Sequence, residues 1–248
     1  MNRAGRPPSR AERPALNCFN CQNRERSEWC AIQADDLRLL NEQKQCAVYR
    51  SGETLYQQGD SCDGIFILER GTIAVRKTDR QGHSVVLRLC HGGQTLGYRD
   101  YFAGGPYTTS ADALADSTVC YLERPAVQTL LTRNPSIGLR FVQRIAQDLE
   151  SAEEAILQTS ALPVRARMAH LLLMLKERFG TAGDDGSIVM ELPLARQDIA
   201  ALLGARPETV TRTLHALEVD GVARFSGRTA VIPDLDLLLD EVEFADGP

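Results

Sequence analysis

Two groups of residues in this chain have types and spacings that could do chemistry. The first is Cys18-x2-Cys21 followed by Cys30, three thiols in a stretch that also carries Asn17, Gln22, Asn23, Arg24 and Glu25. A polar loop of that composition has no core to bury its thiols. Two cysteines two residues apart can grip one metal centre through a tight turn, and a third can fold back to cap it. A tetrahedral zinc or a cubane iron–sulfur cluster needs a fourth ligand, and Cys46, Cys62, Cys90 and Cys120 are the candidates. Spacing does not choose among them. Nor does it choose the metal: zinc gives a redox-silent staple, an iron–sulfur cluster a site that oxidants or nitric oxide destroy. For Cys62 and Cys90 the plain alternative is burial as small hydrophobes. The second group is Glu208-Thr209-Val210-Thr211-Arg212, with His215 one turn on. Arg212 can fork onto guanine O6 and N7, Glu208 can accept from a cytosine amino group, and the Thr211 methyl can meet a thymine methyl.

The elements that must position the second group are legible nearby. Ile199, Leu202 and Leu203 share a helical face, Gly204 stands where a left-handed cap is wanted, and Pro207 can open a second helix. Val210, Leu214 and Leu217 give that helix an apolar side opposite Glu208, Thr211, Arg212 and His215. This is the pattern of a helix-turn-helix whose second helix reads DNA, with Thr209 on the same turn. Val222, Phe225, Val231 and Ile232 flank Ser226-Gly227-Arg228-Thr229, a hairpin that would serve as a wing. Arg206 at the helix start and Arg228 at the wing tip are placed for phosphate.

Upstream, Asp35 to Gln45 has the spacing of a short helix with Leu37, Leu39 and Leu40 inward, and Ala47 to about Glu123 alternates short strands with glycine turns, which predicts an antiparallel roll. Asn134-Pro135 opens a long helix in which Val142, Ile145, Leu149, Ala152 and Ile156 step by three and four, a seam suited to a dimer. Pro163 ends it. The expected division is therefore a disordered leader over 1–16, a cysteine loop and sensor roll over 17–133, a dimerisation helix over 134–162, and a winged helix-turn-helix over 163–248 with an acidic tail.

Composition bounds the function. No apolar run reaches membrane-spanning length and the N-terminal stretch lacks the apolar segment of a secretory signal, so a cytoplasmic location without membrane partners is expected. In that compartment the seven cysteines should not form a disulfide framework. The net charge of -5 does not oppose DNA binding, because Asp234, Asp236, Asp240, Glu241, Glu243 and Asp246 contribute it while the charges between Arg165 and Ala230 nearly cancel. The four histidines are scattered, and there is no nucleophile–base set or phosphate loop to indicate an enzyme.

Roll, long helix and winged helix, in that order from Cys18 to about Ile232, resemble the CRP/FNR family of bacterial transcription regulators. Glu208-Thr209-Val210-Thr211-Arg212 resembles its recognition signature, and Gly52-Glu53-Thr54-Leu55, Gly59-Asp60 and Ile67-Leu68-Glu69-Arg70-Gly71 resemble its roll. The cysteines point to the FNR branch. The resemblance implies a [4Fe-4S] cluster on Cys18, Cys21, Cys30 and Cys120, the last carried by the similar segment Asp116 to Leu122. The spacing from Cys21 to Cys30 is longer than in the best-known member, and Cys46 is the reserve fourth ligand. Zinc is the alternative cofactor. The family's cyclic-AMP contacts are not matched: Gly97-Tyr98-Arg99 lacks the glutamate and Thr109-Ser110-Ala111 the phosphate-pairing arginine, which argues against a cyclic nucleotide. The fold class implied is α+β. The function implied is an oxygen-sensing activator, a homodimer through Val142, Ile145, Leu149 and Ile156, that binds a TTGAT-like inverted repeat while its cluster is intact and works with RNA polymerase. Nitric oxide or redox sensing is the alternative.

Overall fold

The computed structural model describes residues 14, 16–183 and 185–243. The chain divides into two compact units, 1–149 and 150–248. The proposed leader lies outside the described residues except for Pro14 and Leu16, as does Asp246 of the acidic tail.

In the first unit, three turns of 3-10 helix (Cys18–Asn20, Arg24–Arg26, Glu28–Ala31) lead into α1 (Ala34–Gln43). Eight strands follow: β1 (Gln45–Tyr49), β2 (Thr54–Tyr56), β3 (Gly64–Arg70), β4 (Thr72–Thr78), β5 (Ser84–His91), β6 (Thr95–Leu96), β7 (Ser110–Ala113) and β8 (Ser117–Glu123). They form two antiparallel sheets, β1-β8-β3-β6 and β2-β7-β4-β5. Aromatic rings fill the space between them: Tyr56 stacks on Tyr107 at 4.0 Å and on Phe66 at 5.5 Å, and Phe66 meets Tyr121 at 4.8 Å. Since strand neighbours face opposite ways, Ile67 and its partner Cys120 face outward where Phe66 and its partner Tyr121 face inward. Cys46 pairs with Cys120 in the β1–β8 ladder and shares that outer face.

The roll is less purely β than its glycine punctuation suggests. A short helix α2 (Tyr98–Ala103) interrupts it, entered at Gly97 with φ +78°, and α3 (Arg124–Arg133) follows β8 directly. The long helix α4 (Pro135–Ala161) begins where expected. Its Ile137 and Phe141 are buried, whereas Val142, Ile145, Leu149 and Ile156 are exposed, at 62% for Val142 and 60% for Leu149.

The second unit continues with α5 (Val164–Phe179), β9 (Gly180–Ala182), β10 (Ile188–Glu191), α6 (Arg196–Leu203), α7 (Pro207–Val219), β11 (Arg224–Ser226), β12 (Thr229–Ile232) and α8 (Leu235–Glu243). One sheet, β11-β12-β10-β9, backs the helices. Part of the acidic tail is thus helical: Leu238 is buried, and Glu241 with Asp220 clasps Arg165 of α5.

Candidate sensor cavity and nucleic-acid interface

The cysteine segment lies against the outer face of the β1-β8-β3-β6 sheet, and residues 28 and 29 anchor it. Trp29 is fully buried, meets Phe141 edge-on at 5.7 Å and donates from Nε1 to the Thr95 hydroxyl at 3.2 Å. That hydroxyl donates to the buried Glu28 carboxylate at 2.6 Å. The segment's other end is held by Cys18 N–H donating to the Asn41 side chain at 2.9 Å and by the Asn23 amide donating to the Glu69 carbonyl.

Between segment and sheet is a largely apolar cavity of about 180 Å³. Cys18 and Cys21 border it from the segment, Leu40 and Lys44 from the end of α1, and Ile67, Glu69 and Cys120 from the sheet. Burial raises the Cys18 thiol, and burial together with a 3.0 Å hydrogen bond donated to Glu69 pushes Cys21 up to about 11. Both are protonated at neutral pH, so taking up a metal here releases protons and is favoured by rising pH.

Of the four expected ligands, Cys18, Cys21 and Cys120 come to one cavity. Cys30 does not border it; half-buried, it sits on the turn that Glu28 and Trp29 pin toward Thr95. Cys120 departs further from expectation, because its sulfur is bonded to that of Cys46. The expectation that the cysteines form no disulfide is corrected on this point. The cause is register: β1 and β8 pair so that residues 46 and 120 stand directly opposite, and spacing along one chain does not reveal which residues two distant strands bring together. Cys62 and Cys90 are buried thiols. Among the described residues no three His, Cys, Asp or Glu side chains converge as a ready metal site. The donor chemistry around the cavity is nonetheless soft sulfur, the kind that zinc and iron–sulfur centres take, once the disulfide is opened and Cys30 is recruited.

The second site is built almost entirely on one helix. Gly204 caps α6 in the left-handed region at φ +58°, with Gly204 and Ala205 N–H both donating to the Ala200 carbonyl. Pro207 opens α7, whose Val210, Leu214 and Leu217 are buried. Glu208, Thr211, Arg212 and His215 are exposed on its other side, and Thr209 is half-buried. In the polar row the Thr211 hydroxyl donates to the Pro207 carbonyl at 3.0 Å and leaves its methyl for contact, Arg212 has a marginal 3.5 Å contact to the Thr209 hydroxyl, and His215 stands 3.7 Å from Glu218. Glu218 accepts from the Phe225 N–H at 3.0 Å and so ties the wing to the helix. Arg206 is exposed. Arg228 is not simply a free wing-tip cation, because its guanidinium donates to the Leu192 carbonyl at 3.1 Å and the Pro193 carbonyl at 2.7 Å. Sequence spacing did not signal that clamp.

Residues 47–134 match the cyclic nucleotide-binding domain, and residues 166–241 match the Crp-like helix-turn-helix domain. The chain belongs to the CRP/FNR family of transcription regulators. It is a DNA-binding transcription regulator. It is 26% identical over 230 residues, 90% of this chain and 91% of that protein, to the transcriptional activator protein FnrL of Cereibacter sphaeroides. It is 25% identical over 207 residues, 84% of this chain and 92% of that protein, to a CRP-like cAMP-activated global transcriptional regulator of Mycobacterium tuberculosis. The structure of FixK2 from Bradyrhizobium japonicum superposes with a TM-score of 0.69 at 24% identity, over 79% of this chain and 96% of that one, a likeness of fold. Family membership therefore does not choose the effector. Within this roll, the depression lined by Tyr56, Val75, Arg88, Gly97, Arg99, Asp100 and Thr109 has no free volume for even a water molecule. A Cβ at Gly97 would stand 2.9 Å from the Tyr107 ring. Arg88 turns instead to Tyr98 and Asp148, with Arg144 completing the cluster at 3.0 Å from Asp148. No described helix is long and apolar enough to cross a membrane.

Proposed function

We propose that this regulator senses oxygen through a [4Fe-4S] cluster held by Cys18, Cys21, Cys30 and Cys120, and that it binds DNA as a homodimer when the cluster is present. The observation that carries the reading is the apolar cavity bordered by cysteines from both the N-terminal segment and strand β8. A bound cluster would supply a redox-labile centre that oxygen degrades. The chain's own residues do the rest. Trp29 and Glu28 fix the segment to the roll, Ile67 and Leu40 give the cavity apolar walls, and Lys44 supplies a positive charge beside thiolates. The filled interior of the roll supports an effector other than a cyclic nucleotide.

The exposed apolar row on α4 supports dimerisation, since apolar side chains at that spacing gain by burying one another. In the dimer, two copies of α7 would enter successive major grooves about 34 Å apart, with the guanine of a TTGAT-like half-site read by Arg212. Contact with RNA polymerase and a cytoplasmic location belong to this reading.

Anaerobic purification followed by metal and sulfide analysis tests the cofactor. A brown protein with iron and acid-labile sulfide in equal amounts supports it. A colourless protein carrying one zinc per chain would replace the cluster with a structural staple.

A further inference from the structure

We propose that Cys46 and Cys120 form a redox-active dithiol–disulfide couple, oxidised by small hydroperoxides, that decides whether the sheet's cysteine is available to the cavity. The proposal rests on the reading of the cavity above only for the consequence of releasing Cys120; the couple itself stands on strand geometry. Cys46 lies on β1, an edge strand, and its sulfur is bonded to that of Cys120 on β8. The β1–β8 ladder runs from Gln45 opposite Tyr121 to Tyr49 opposite Ser117, with the two cysteines inside it. Backbone pairing therefore keeps them opposite one another whether or not the sulfurs are joined, so the bond can open and close within the ladder. That standing proximity makes closure effectively unimolecular.

Cys120 has a second role that a buried staple would not have: it borders the cavity, along with the unpaired Cys18 and Cys21. One sulfur cannot both bond Cys46 and ligate a metal. Closing the couple withdraws the sheet's donor from the cavity, and opening it restores that donor.

The chemistry balances. The Cys120 thiolate attacks a peroxide oxygen, giving a sulfenic acid as the O–O bond breaks and hydroxide leaves. The Cys46 thiolate then attacks that sulfur, forms the S–S bond and displaces hydroxide, which leaves as water. Two thiols lose two electrons and two protons, and hydrogen peroxide becomes two waters. A small dithiol reverses the change by exchange through a mixed disulfide and ends as its own disulfide.

The test uses the full chain. Fully reduced protein is treated anaerobically with hydrogen peroxide, its remaining thiols are alkylated, and the digest is mapped by mass spectrometry. The expected product is a linked peptide pair containing Cys46 and Cys120 that disappears when the folded protein is treated with dithiothreitol before alkylation. In Cys46→Ala and in Cys46→Ser, the Cys120 linkage is absent after the same oxidation. Oxidised and then desalted, wild type takes up iron and sulfide only after dithiothreitol, whereas in the Cys46 variants Cys120 stops at the sulfenic acid, which dimedone traps there and not in wild type. Cys62→Ser behaves as wild type. Absence of the linked peptide, or a linkage that resists dithiothreitol in the folded protein, overturns the proposal. If the pair forms and reopens but no version of the protein takes up iron, the couple stands and the cluster reading fails. If iron loads equally before and after oxidation, the cluster reading stands and the couple fails.

Discussion

The recognition helix and the cysteine cavity are opposite kinds of site. Glu208, Thr209, Thr211 and Arg212 come from one stretch of chain, and α7 alone sets their spacing. The cavity draws Cys18 and Cys21 from a segment of 3-10 turns, Leu40 from α1 and Lys44 from the residue that caps it, and Ile67, Glu69 and Cys120 from two strands. A site on one helix is ready as soon as that helix packs. A site assembled from distant pieces depends on how they are held, and here that includes a strand register that gives Cys120 a second partner. Under the proposed function, the consequence is a division of labour: a preformed reader, and a conditional sensor.

Several substitutions would break or sharpen that contrast. Trp29→Ala should have the largest effect, because it removes a fully buried ring and the anchor of the cysteine segment. A loss of about 3–5 kcal/mol is expected, read as earlier denaturant unfolding of the residue 1–149 unit. Unchanged unfolding would mean that the segment is not held through residue 29. Next is Leu149→Asp on the exposed row of α4. An unpaired carboxylate cannot be desolvated in an apolar seam, so sedimentation should show a monomer, with little change in the stability of each chain. A persistent dimer would place the interface elsewhere.

Arg212→Ala should leave stability untouched but cost about 1–3 kcal/mol per half-site and relax the preference for guanine. A titration against all single-base variants of the half-site checks it, and an undiminished guanine preference would mean that α7 docks differently. The smallest effects concern the two flanking arginines, and the structure separates them. Arg206 is exposed, and its loss should weaken binding to all sequences alike and lower the salt slope by about one. Arg228→Ala removes two hydrogen bonds that clamp the hairpin and should chiefly cost stability, about 1–2 kcal/mol, visible as a lower melting temperature without DNA. If its whole effect were on the salt slope, the clamp would be unimportant.

The same contrast explains what could be read from the residues. The helix-turn-helix was legible because Gly204, Pro207 and the row Val210, Leu214, Leu217 act locally: one supplies a left-handed cap, one a helix start, and three a buried side. The roll was legible as a class through its glycine turns. Helix α2 was not, since its Tyr98 and Tyr101 are buried by surrounding elements that a six-residue window does not contain. The trio Cys18, Cys21 and Cys30 could be seen as a chemical group, but Cys30 standing outside the wall of the cavity that Cys18 and Cys21 border, and Cys46 opposing Cys120, are facts of packing and register. Arg228 is the mirror case: its basic tip position was visible, and the carbonyls that claim it are 35 and 36 residues away.

The central claim is that the cavity's cysteines control the reader. The most direct test is one titration of the TTGAT-like inverted repeat with anaerobically reconstituted protein, repeated after exposure to air and with Cys18→Ser. Tight, salt-dependent binding by the anaerobic wild type, lost after air and absent in Cys18→Ser under either condition, is the predicted result. Equal affinity across wild type and variant, with and without air, would contradict it and leave α7 a reader that this cavity does not govern.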